Sequence, residues 1–279
     1  MEVAAFGLAF ASAILAYGGA AMQAFEARSV PRRESLRAGL LIRLLGRPLW
    51  LGGTALNILA FGLQVAALSL ASLAIVQPTL ALGLVVLVVI AAWKLGETIE
   101  KETPIGIAAV IAGLVGLAFV APRRNHIPES GLSIGVLGAV LAVIVGVLLA
   151  MRLTGRSGGL AASVAAGVTY AWVSFAGALL GTAFAERSWT LAAVWSVGVV
   201  AGAALALTAE MTALQSWPVS RSKPVVFVLQ TLIPSFAAPF FSAQGFGALY
   251  GVPFAISLVV VAAGAATVAS SGAFARTQA

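Results

Sequence analysis

Glu210 is the residue most able to do chemistry in this chain. It lies within an apolar run, about 191–214, with no basic residue within ten positions. An ionisable group inside a membrane-length segment is costly and is a functional candidate by default. Removing a carboxylate from water disfavours its charged form. Glu210 is therefore a candidate for taking up a proton or binding a cation. The structural alternative is a glutamate hydrogen-bonded near the end of its helix, reaching Arg221 or Lys223.

A second cluster is polar but neutral. Thr54, Asn57, Phe61 and Gln64 follow one another at spacings of three, four and three, so they share one helical face. Such a face suits a water-filled cavity, or hydrogen bonds to a neighbouring helix. Gln230, Thr231, Pro234, Ser235 and Pro239 form a third group. Prolines there predict a broken helix lining a cavity, or a packed kink. Tyr170, Trp172 and Ser174 are candidates for the same lining, or for packing and an interface belt.

The remaining inventory excludes much. The chain has no cysteine, no aspartate and a single histidine, His126. That removes disulfides, thiolate metal sites, cysteine nucleophiles and multi-histidine centres. We expect no catalytic residues, no metal site and no cofactor. No G-x-x-x-x-G-K-[ST] motif occurs, so energy is expected to come from solute or ion gradients.

The elements that must position these groups follow from composition. Of 279 residues, 61% are hydrophobic and 9% charged, with a mean hydropathy of +1.06. Soluble domains carry about 25% charged residues, so this chain cannot cover a soluble globule. The net charge of +7 does not indicate nucleic acid, because the basic residues lie between apolar segments. The apolar runs predict an all-helical polytopic membrane protein with nine spans, within a range of eight to ten. They lie at about 4–24, 49–71, 74–94, 104–121, 131–151, 159–184, 191–214, 224–245 and 252–271. The first reads as a retained span, not a cleaved signal peptide.

With the N-terminus outside, thirteen basic residues fall on the inner side and three, Arg123, Arg124 and Arg187, on the outer. This bias predicts an inner-membrane (plasma membrane) protein with the N-terminus out and the C-terminus in. In the arginine-rich segment 25–48, Leu36, Leu40 and Leu44 predict a short helix lying in the cytoplasmic interface. Glu97, Glu100, Lys101 and Glu102 read as a solvated cytoplasmic loop, with a cation-attracting vestibule as the other reading. Gly177, Gly181, Gly198 and Gly202 form small-residue ridges. They suit helix packing, with a homodimer contact as the other reading.

An internal repeat is also legible. At an offset of 146, Ala67, Leu68 and Pro78 meet Ala213, Leu214 and Pro224, and Gln64 falls opposite Glu210. The offset corresponds to five spans, an odd number, so the halves 1–122 and 123–279 enter the membrane in opposite directions. Inverted repeats are the architecture of many secondary transporters, with the solute held at the repeat interface. Pro78, Pro224, Pro234 and Pro239 are then candidate gating or kink positions.

The stretch AALSLASLAIVQPTLALGLVVLVVIAAWKLGE, from Ala66 to Glu97, and PIGIAAVIAGLVGLAFVAP, from Pro104, resemble the drug/metabolite transporter superfamily. Its EamA-like members have ten helices in two inverted repeats. Loss of the first would leave nine, N-out and C-in. The span count and the arginine-rich loop are most similar to the NIPA-like magnesium transporter branch. The second copy carries Ala243 and Gln244 where an acid commonly stands, so Glu97 gains no symmetric counterpart. The resemblance implies a secondary transporter moving a small metabolite or drug, in one form coupled to protons. Magnesium transport is the alternative. A non-transporting scaffold or partner subunit is an alternative of another class.

Overall fold

The structure is a computed structural model that describes residues 2–31, 38–70, 73–120, 159–241 and 251–270, with isolated positions between 138 and 150. The described residues are all-helical. The elements are α1 (Glu2–Ser29), α2 (Ala38–Leu45), α3 (Pro48–Leu70), α4 (Leu73–Lys94), α5 (Glu102–Val120), α6 (Gly159–Ala185), α7 (Trp189–Leu214), α8 (Val219–Phe241) and α9 (Val252–Ser270). Among the described residues, four segments are long and apolar enough to cross a membrane: Val3–Ser29, Gly159–Gly177, Trp189–Leu214 and Val252–Ser270. Most of the fifth expected span, His126, the middle of the arginine-rich loop including Arg32, Leu36 and Arg37, and Ala243 with Gln244 lie outside the described residues.

The surface is what a membrane helix requires. On α7, Val197 and Val200 are 69% and 68% exposed, while the buried face carries Ala206, Ala209, Glu210 and Thr212. Bulky apolar groups point outward and small or polar groups inward, because lipid offers helices no hydrophobic reason to associate. Packing is instead close contact between backbones. A Cβ on Gly19 would stand 2.5 Å from the carbonyl oxygen of Gly53, which joins α1 to α3. Gly264 and Gly106 join α9 to α5 in the same way, a Cβ on Gly264 falling 2.6 Å from the Gly106 oxygen. Of the expected ridges, Gly202 packs against Trp172 and Val173, whereas Gly177 and Gly198 meet no other helix among the described residues.

Helix neighbours recur in the two halves. α1 packs on α3 and α4, and α6 packs on α7 and α8. α4 packs on α5, and α8 on α9. α5 and α9 pack on each other across the halves. Pro78 and Pro224 occupy the same sixth position, in α4 and α8 respectively. α1 also touches α7 and α8, whereas α6 makes no comparable contact with α3 or α4 among the described residues.

Two expectations change here. The helix containing Pro224, Pro234 and Pro239 begins five residues early, at Val219, and runs unbroken to Phe241. A proline removes one backbone donor, and a helix held by neighbours absorbs that. The short helix α2 also does more than lie at an interface. Its Leu40 and Leu44 are fully buried in the main core, while Ile42 and Leu45 are exposed.

Gly264→Ala should lower the thermal midpoint of detergent-solubilised protein, because overpacking a tight contact costs about 1–3 kcal/mol. Gly7→Ala, where nothing stands within 4 Å, should leave the midpoint unchanged or slightly raised.

Candidate functional site

A cavity of about 880 Å³ lies between the halves. Thr54, Asn57 and Gln64 of α3 line it, with Tyr170 of α6, Glu210 of α7, and Gln230 and Pro234 of α8. The α3 face arises from helical spacing alone: all three polar residues and Phe61 reach the same space. Tyr17 and Gln23 of α1 and Lys223 of α8, which sequence spacing does not single out, also line it.

Glu210 is 2% exposed and has two partners. Tyr170 Oη donates a hydrogen bond to its Oε2 at 2.9 Å, and Lys223 Nζ forms an ion pair with its Oε1. The isolation of Glu210 in sequence is therefore not isolation in space. Lys223 lies 13 positions on, at the start of α8, and is one of the two basic residues that the structural alternative names; the other, Arg221, pairs with Glu100. The turn 215–218 returns the chain so that α8 places this lysine against α7. A buried carboxylate with a cation and a phenol is a neutralised group, not a bare negative charge.

The polar face of α3 is tied to α1. Gln23 Nε2 donates to Thr54 Oγ1 at 3.1 Å, and Asn57 Nδ2 donates to Gln23 Oε1 at 3.2 Å. Thr54 and Asn57 thus serve both as interhelical bonds and as cavity wall. Among the described residues no partner meets the Gln64 or Gln230 amides. Pro234 has no N–H to give to the carbonyl of Gln230 one turn earlier, which leaves that oxygen unpaired by its own helix.

Of the two candidate prolines whose side chains are described, Pro224 and Pro234, Pro234 lines the cavity. Pro224 is buried in the first turns of α8 and is not part of the lining, and Pro78 and Pro239 lie within α4 and α8. Trp172 does not line the cavity either. It stacks obliquely with Trp195, 6.3 Å between ring centroids.

The largest departure from expectation is Glu97. Its side chain is 5% exposed, not solvated. The carboxylate accepts the backbone N–H groups of Val219 (2.7 Å) and Ser220 (3.0 Å) and the Ser220 hydroxyl (2.6 Å). It also pairs with Arg28 at the end of α1. A carboxylate at a helix N-terminus satisfies orphan donors and complements the helix dipole, which explains why α8 starts at Val219. Nearby, Arg221 pairs with Glu100 at 2.9 Å, and Gln215 Nε2 donates to the Val30 carbonyl at 3.3 Å. These bonds join the first half to the second one turn beyond Lys223, where the cavity lining stops. Together they form a polar seal.

Compared with protein-family models, with curated proteins and with solved structures, the chain matches none.

Lys223→Gln should be markedly destabilising. Removing one member of a buried ion pair costs about 3–5 kcal/mol, because the other charge is left unpaired. The double variant Glu210→Gln/Lys223→Gln should recover most of that loss. Thermal midpoints of the purified variants check both.

Proposed function

We propose that this protein is a secondary transporter of the drug/metabolite transporter kind. It moves a small metabolite or drug across the inner membrane by alternating access around the central cavity. In this reading the nine spans form two inverted repeats, with the N-terminus outside and the C-terminus inside. The observation that carries the proposal is the cavity between the halves, closed at one end by a cross-half seal and walled by polar groups and one buried ion pair. A packed scaffold has no use for such a space, since unfilled volume in a helix bundle forfeits contacts.

The unequal contacts support a specific state. In an inverted repeat, closure of α1 onto α7 and α8 at one face has a mirror image, closure of α6 onto α3 and α4 at the other. Here the first is made and the second is not made to a comparable extent, among the described residues. An outward-facing conformation sealed at the cytoplasmic end by Glu97, Glu100, Arg28 and Arg221 accounts for both. Opening inward then requires those bonds to break and α6 to close on α3 and α4. The ion pair favours an organic solute over magnesium, because Lys223 already neutralises the one carboxylate among the described residues of the cavity wall.

The chain has no cysteine, so single cysteines report cleanly. With a membrane-impermeant maleimide, Gly46→Cys should label only from the cytoplasmic side and Arg187→Cys only from outside. Phe227→Cys, inside the cavity, should label from outside alone. With Glu97→Gln added, it should label from both sides. In proteoliposomes, a labelled solute from a mixed metabolite pool should exchange against its unlabelled form. A scaffold exchanges nothing.

A further inference from the structure

The charges in the cavity wall also specify what the cavity selects. Glu210 and Lys223 are the only charged residues among the described lining. Glu210 is nearly inaccessible, and the Lys223 side chain is 18% exposed. The site is neutral as a whole. A solute with one charge would upset that balance. A cation would have to displace Lys223 from Glu210 and leave an ammonium unpaired. An anion would do the same to the carboxylate. Either leaves an uncompensated charge in a desolvated wall, which is expensive.

A zwitterion avoids the cost. Its ammonium takes the Glu210 carboxylate and its carboxylate takes the Lys223 ammonium. One ion pair becomes two, and no charge is left over. The rest of the wall fits an uncharged body: Leu80, Leu114, Leu117 and Val173 supply apolar surface, and the Gln64 and Gln230 amides supply neutral hydrogen bonds. The volume lies within the range of about 300–1,000 Å³ found for small-molecule sites.

We infer that the cavity selects solutes carrying an ammonium and a carboxylate close together on an apolar body, with Glu210 and Lys223 as the residues that set this charge preference. The inference rests on the cavity being the solute site. The test is equilibrium binding to the full-length protein in detergent, using three probes of similar shape. Leucine has both charged groups, 3-methylbutylamine lacks the carboxylate, and 4-methylpentanoate lacks the ammonium.

The wild type should bind leucine about tenfold or more tightly than either singly charged probe, a gap of ~1.4 kcal/mol or more. Lys223→Gln should shift the preference toward the amine, and Glu210→Gln toward the acid. If a single variant does not fold, the double variant Glu210→Gln/Lys223→Gln stands in for it and should lose the preference for leucine. Equal binding of a singly charged probe by the wild type, no binding of any probe, or a preference unchanged in the variants overturns the inference. If the binding pattern holds but proteoliposomes exchange no leucine, the transport reading fails and the charge preference stands.

Discussion

One buried carboxylate holds the two halves of this protein together at one end. Glu97 accepts two backbone donors and a hydroxyl from the start of α8 and pairs with Arg28 at the end of α1. Hydrogen bonds to an ionised acceptor are roughly twice as strong as neutral ones. They also form and break without disturbing apolar packing. In the transport reading we propose, that combination suits a seal that is firm in one state and absent in another. The contacts deeper in the bundle, such as Gly19 on Gly53, are between backbones and leave no such freedom.

The cavity depends on that seal. With α8 anchored at Val219, Lys223 falls one turn further in and meets Glu210. The same helix then carries Gln230 and Pro234 along the wall. The cap on α8, the ion pair and the cavity wall are successive turns of one helix. A shift of its first turn would move all three.

Much of this was legible in the chain. Helical spacing alone put Thr54, Asn57 and Gln64 on one face, and they share one wall. Glu210 stood out because charge is scarce. The helices were visible as apolar runs, with ends misjudged where a side chain from elsewhere decides them. α8 starts early because Glu97, over a hundred residues away in sequence, caps it. The same limit hid Gln23, which reaches Thr54 and Asn57 from α1. Lys223 was legible only as one of two basic residues within reach of Glu210, and the fold chooses it over Arg221, which pairs with Glu100 instead. Glu97 was read as solvated because its sequence neighbours are charged. Periodicity describes a helix's own faces and says nothing about which distant group meets its end.

The account's central claim is that the polar seal at Glu97 closes one face of a cavity that opens alternately. Spin labels at Lys101 and Leu160, exposed positions at that end in the two halves, measure the closure directly by electron–electron distance spectroscopy in lipid. The account predicts one dominant short distance in the wild type and a second, longer population in Glu97→Gln. The same single distance distribution in both proteins would contradict it.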